Sequence, residues 1–221
     1  MVRIAPDGAT VLVGGRTGLR VFDVATGRVV RTLSREAGIY QGLTFTPDGR
    51  AAVGVGPGGL TWEVATGRET RLEGDERWFP GGFVALPGSR HVAVVQTTPA
   101  EEREGTSQSV DWLSTWEVAT GRRVARVKLA EAWPRPDARS QGCRATGVAG
   151  LPNGRRVAVG DTCGRVHVFD ALSGERLRTF DSAPQGPDLQ VGAIAASPDG
   201  RYLASSCGGT ILIWDLMAAK P

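Results

Sequence analysis

Few residue patterns in this chain could carry chemistry, and each can be weighed on its spacing. Gly54-Val55-Gly56-Pro57-Gly58-Gly59 has the G-x-G-x-x-G form. A dinucleotide site of that form needs a helix N-terminus after the loop, to hold the pyrophosphate. Here Pro57 and a following strand-like run stand in the helix's place, so the segment reads as a Gly-rich hairpin turn. No nucleophile elbow, phosphate-binding Lys loop or H-E-x-x-H segment occurs. His91 and His167, the two histidines, lie in Val-rich runs. A general base with an orienting carboxylate is hard to build there, so both read as scaffold. Glu101, Glu102 and Glu104 read as solvated loop charges. The expectation is a chain without catalytic, cofactor or metal residues, and not an enzyme.

Cysteine and charge narrow the partners. Cys143, Cys163 and Cys207 show no C-x-x-C spacing, which argues against a disulfide scaffold and a zinc site. The plain reading is three small half-buried thiols. A sharper one bridges Cys163 to Cys207, which occupy similar turns in successive repeats. Lys+Arg number 26 against 23 Asp+Glu, a formal net charge of +3. No basic cluster is dense enough for a nucleic-acid stripe. No apolar run reaches the roughly 18 residues of a membrane span. The opening Met1–Asp7 lacks the apolar core of a secretory signal. Neither nucleic acid nor membrane is therefore expected as a partner, and the cytoplasm is the default location.

The elements come from internal repetition. With 31 Gly and 13 Pro in 221 residues, short elements joined by turns are favoured over long helices. A turn recurs at Pro6-Asp7-Gly8, Pro47-Asp48-Gly49, Pro87-Gly88-Ser89, Pro152-Asn153-Gly154 and Pro198-Asp199-Gly200. A second signal pairs an aromatic with an acid at Phe22-Asp23, Trp62-Glu63, Trp116-Glu117, Phe169-Asp170 and Trp214-Asp215. The first four pairs lead, four residues after the acid, to Gly27, Gly67, Gly121 and Gly174. β-Branched runs of strand length lie between the signals. Each unit of about 40 residues then reads as four antiparallel strands, a to d. One such sheet cannot cover both its faces, and stacking sheets around an axis does so, as in a β-propeller.

The aromatic-acidic pairs resemble the Trp-Asp dipeptide of the WD-repeat family, here in a divergent form of bacterial type, and the resemblance covers nearly the whole chain. It implies an all-β propeller of about five four-stranded blades, one domain over 1–221, with blades near 1–34, 35–74, 75–130, 131–182 and 183–221. Family members carry a Gly-His pair between strands d and a, an Asp in the b–c turn, and a buried His–Ser–Trp network linking them. Neither histidine falls in a d–a connection and only Asp161 stands near the acidic place. That network is expected to be absent, leaving stability to aromatic packing between blades. The last blade counts only a, b and c. Five blades then close imperfectly, or another chain completes them, or they form part of a larger ring, with an edge at the last strand that invites self-association.

The resemblance implies a non-catalytic scaffold binding protein or peptide. The third unit is stretched at Gln96–Asp111 and Glu131–Arg144, two connections that share one rim, where function usually sits. Tyr40, Trp78, Phe79 and Trp133 lie outside the strand pattern on that rim, with Arg77, Arg135 and Arg139 beside them. Trp, Tyr and Arg are the types enriched at interface hot spots. These seven are the candidate partner-binding residues, and the competing reading has the aromatics plugging grooves between blades. Two other functions stay open: a propeller hydrolase or lyase with a central-channel site, and a regulatory module of a longer protein.

Overall fold

The computed structural model describes residues 1–35, 42–55, 59–74, 79–88, 90–98, 110–129, 143–181 and 190–218, with only the backbone at 79 and 80. Among the described residues nineteen strands form five antiparallel sheets in strict chain order. The first holds β1 (Val2–Ile4), β2 (Thr10–Gly15), β3 (Gly18–Asp23) and β4 (Val29–Ser34), and the second β5 (Gly42–Phe45), β6 (Ala51–Val55), β7 (Leu60–Glu63) and β8 (Glu69–Arg71). The third holds β9 (Phe79–Ala85), β10 (His91–Thr98), β11 (Val110–Glu117) and β12 (Arg123–Lys128). The fourth holds β13 (Ala145–Gly150), β14 (Arg156–Asp161), β15 (Arg165–Asp170) and β16 (Arg176–Asp181). The fifth has three strands, β17 (Val191–Ala196), β18 (Tyr202–Cys207) and β19 (Thr210–Asp215).

The turn chemistry explains these elements. In the c–d turns the N–H groups of Gly27, Gly67, Gly121 and Gly174 donate to the carbonyls of Asp23, Glu63, Glu117 and Asp170. Each of these glycines has φ between 66° and 78°, a region costly for other residues. The acid of each pair caps its own turn. The Thr26 amide and hydroxyl both donate to Asp23 Oδ1, and the Leu172 and Ser173 amides donate to Asp170 Oδ1. At the a–b turn of blade four the preceding blade stands so close that a Cβ on Gly154 would collide with the Pro87 carbonyl.

The sheets are blades of a β-propeller, and the aromatic pairs make its joints. Trp62 packs among Leu12, Leu19, Val21 and Leu33 of blade one. Trp116 packs with Val53, Val55 and Leu72 of blade two, and Phe169 with Ala93, Val95 and Leu113 of blade three. Trp214 lies against Ala158, Val166, Val168 and Phe180 of blade four. Trp62, Trp116 and Phe169 are thus buried, and Trp214 half-buried, against the blade before their own. The inner strands β1, β5, β9, β13 and β17 pack in that order, and among the described residues no comparable packing joins β17 back to β1.

Blade three departs from the sequence reading. Its b and c strands run to Thr98 and start again at Val110. Gln96, Thr97, Thr98, Val110 and Asp111, expected within an insertion, continue the ladder instead, with Gln96 opposite Trp112 and Thr97 opposite Asp111. A short apolar signal hides such an extension, because cross-strand hydrogen bonds carry polar residues as readily as apolar ones.

Candidate functional site

Antiparallel order puts the b–c turns and the d–a connections at one end of every blade. The described residues build this rim most fully between blades three and four. Asp111, buried at the start of β11, accepts from Arg144 Nε at 3.0 Å, from Arg144 Nη2 at 3.1 Å and from the Ala145 amide at 2.8 Å. The Thr97 hydroxyl donates to it as well. This forked pairing ties blade three to the entry of blade four. The Arg144 amide donates to the Thr162 hydroxyl, and the Thr162 amide donates back to the Arg144 carbonyl.

One expectation fails here and a second needs refining. Cys163 is bonded to Cys143, with Cα atoms 5.6 Å apart, and Cys207 takes no part in the bridge. Cys143 enters just ahead of β13, beside the b–c turn of its own blade, whereas Cys207 ends a strand of the next. The second concerns buried polar groups: the His–Ser–Trp network is not seen among the described residues, but a different buried network is. His167 Nε2 donates to Asp161 Oδ2 at 3.2 Å, and its Nδ1 faces the Thr179 hydroxyl at 3.0 Å, with both side chains of the His–Asp pair fully buried. Asp161 Oδ1 also accepts the amides of Cys163 and Arg165, which closes the turn. Asp161 is the residue the family pattern pointed to, but its histidine comes from strand c rather than from a d–a connection. In blade five the Trp214 indole donates to the Ser205 hydroxyl at 2.9 Å, which keeps the Trp–Ser link.

Of the expected partner-binding residues, Tyr40, Arg77, Trp78, Trp133, Arg135 and Arg139 lie outside the described residues, and Phe79 is described in backbone only, at the start of β9. A residue not singled out in the sequence does sit near this rim. Trp112, on the extended part of β11, carries the Arg126 guanidinium over its ring at 4.0 Å and donates to the Thr98 hydroxyl. It was missed because the sequence signal for strand c began only at Leu113.

Two concavities were also invisible in the sequence. One, of about 380 Å³, lies among the inner strands and is lined by Val55, Phe83, Val148, Ile194 and four glycines, Gly81, Gly82, Gly147 and Gly192, with Ala193. Its described lining is apolar and offers no acid or base. The other, of about 390 Å³, opens between blades two and three at the opposite end, where Arg50, Arg68 and Arg90 face Asp48, Glu63 and Glu117. Half-buried His91 stands near this end. Burial lowers its pKa and the neighbouring Glu117 partly offsets that.

The family model described as WD domain, G-beta repeat, matches residues 174–215. The match runs from the c–d turn of blade four, through its last strand, to the end of the three strands of blade five, so the sequence repeat and the structural blade are offset by one strand. The chain is similar to the guanine nucleotide-binding protein subunit beta of Oryza sativa subsp. japonica, 25% identical over 232 residues. It is similar to the protein of the same description from Zea mays at 25% identity over 232 residues. In both, the alignment takes in 98% of this chain and 57% of the relative, so the chain spans little over half the length of these proteins. The chain has a β-propeller architecture, and its match over 174–215 makes it similar to WD-repeat proteins.

Proposed function

We propose that this chain is a non-catalytic scaffold that binds a protein or peptide on the rim of b–c turns and d–a connections. One observation carries the reading: the two longest inter-strand connections, 99–109 and 129–144, both leave blade three, and the Asp111–Arg144 pair ties the residues at their C-terminal ends. Long connections on a fixed frame are where binding residues concentrate. Tyr40, Arg77, Trp78, Phe79, Trp133, Arg135 and Arg139 are the proposed contact residues. The apolar lining of the inner cavity supports a binding role over chemistry in the channel.

The same reading makes blade five a self-association element. Among the described residues β19 pairs with β18 alone, and an uncovered strand edge accepts a further strand. We place the protein in the cytoplasm. The Cys143–Cys163 bridge pulls the other way, since structural disulfides persist in oxidising compartments. Peptide-library selection on the immobilised chain, repeated with Trp78→Ala and Trp133→Ala, tests the patch. Selected peptides are expected to lose binding while the melting temperature holds. A large fall in melting temperature with binding retained would assign both residues to packing.

A further inference from the structure

Blades two to five each carry an arginine at or just after the a–b turn: Arg50, Arg90, Arg155 and Arg201. The residue that follows it lies opposite the acid ending strand c, in the pairs Ala51 and Glu63, His91 and Glu117, Arg156 and Asp170, Tyr202 and Asp215. The carbonyls of the four arginines accept the amides of Val64, Val118, Ala171 and Leu216. The backbone frame is therefore the same in all four places.

The side chains differ with the length of the acid. Asp170 gives Oδ1 to the amides of its turn and Oδ2 to Arg155 Nε. Asp215 gives Oδ1 to the Met217 amide and Oδ2 to Arg201 Nη2 at 3.4 Å. One short carboxylate thus serves both the turn and the arginine. Glu63 and Glu117 each carry a further methylene. Their Oε2 atoms accept the Thr66 and Thr120 hydroxyls, each at 2.7 Å, and Arg68 stands 3.7 Å from Glu63. Neither glutamate holds the arginine of its blade. The Arg50 and Arg90 guanidinium groups have no hydrogen-bond or ion-pair partner among the described residues.

These two cations line the cavity of about 390 Å³ between blades two and three, one from each wall. The walls are tied together by the Thr61 hydroxyl, which donates to the Val118 carbonyl at 3.0 Å. Ala51, Val118 and Ala119 give the lining an apolar part. A single negative charge between two guanidinium forks satisfies both. A dianion there would also stand against Asp48, Glu63 and Glu117, which line the same cavity. We propose that this cavity binds a carboxylate on a short aliphatic stem, the acid between Arg50 and Arg90 and the stem on Ala51, Val118 and Ala119. Such a group comes from a Glu or Asp side chain of a peptide or from a free small acid. The site lies at the opposite end of the blades from the proposed binding rim and does not rest on it.

The test is a heteronuclear NMR titration of the 221-residue chain with butyrate and with an acetylated, amidated Ala-Glu-Ala tripeptide. Each is set against its neutral counterpart, butyramide and the Gln tripeptide. The acids are expected to shift the signals of Arg50 and Arg90, and the neutral amides to bind about tenfold or more weakly. Arg50→Gln and Arg90→Gln should each lower the affinity by a similar factor. A second variant keeps the net charge. Glu63→Asp with Glu117→Asp shortens both acids to the length that holds Arg155 and Arg201, so the two arginines should be captured and carboxylate binding lost at an unchanged melting temperature. Binding by the tripeptide alone would make the source a peptide, and equal binding by butyrate a free acid; either supports the site. Neutral amides binding as well as the acids, unchanged binding in the folded double variant, or no binding by either acid would overturn it. A phosphoserine tripeptide binding more tightly than the Glu tripeptide would overturn the carboxylate in favour of a phosphate. Arg50 and Arg90 are exposed, so their variants are expected to keep the fold and decide the matter should the double variant unfold.

Discussion

Blades two to four are covered on both faces, and blades one and five on one each. All five share strands a to c in the same order and the aromatic-acidic pair, so the difference does not lie in these parts of a blade. It lies in whether a neighbour is present. Such a sheet is thus a half-finished object whose aromatic is worth what the adjoining blade makes of it. Stability in such arrays is approximately a sum of unit and nearest-neighbour terms.

The largest expected effect separates the two classes directly. Trp116→Ala removes a buried indole whose N–H donates to the Glu73 carbonyl, and should cost about 3–5 kcal/mol. Phe22→Ala, the matching change on an uncovered face, should cost about 1 kcal/mol in urea denaturation. Equal losses would mean that the joint is not where the energy resides. Next comes Asp161→Ala in blade four, which strands buried His167 and two turn amides and should cost about 3 kcal/mol. Asp199→Ala in the exposed a–b turn of blade five should cost well under half of that in the same assay.

The Cys143–Cys163 bridge closes a loop of sequence separation 20, so Cys143→Ser with Cys163→Ser should cost about 2–3 kcal/mol, with a reductant lowering the wild-type melting temperature to match. Melting unmoved by reductant would show the bridge to be idle. Smaller again is Arg144→Ala, expected at about 1–2 kcal/mol because Asp111 keeps the Ala145 amide and the Thr97 hydroxyl.

The smallest effect is in acid. At Asp170 burial favours the neutral form, but the Ser173 amide, the Arg155 guanidinium and the Leu172 amide outweigh it and hold the pKa below the usual 3.8. A lowered folded value gives stability that is present above the unfolded pKa and lost as pH falls through the folded one. Asp170→Asn should therefore shallow the acid limb of a stability–pH curve below about pH 4 and move neutral-pH stability less than any change above.

Much of the frame was legible from residues alone. The Pro-Asp-Gly turns and the aromatic-acidic pairs each sit at a fixed place in the blade, because turn geometry is local and its residue preferences are strong. Strand ends were read short where polar residues extended the ladder, as at Thr98 and Asp111. The site was legible only as a list of side-chain types. The Cys143–Cys163 bridge, the Asp111–Arg144 fork and the His167–Asp161 pair each join residues that no spacing rule connects, and the first runs against expectation.

Sequence by itself determined the number of sheets, their strand order and the residue that caps each turn, because these depend on contacts within about a dozen neighbours along the chain. The tertiary structure decided which of five like faces are covered, since burial depends on what stands opposite a side chain. Val24 and Val118 are the same residue in the same local frame, and only the preceding blade makes one core and the other surface.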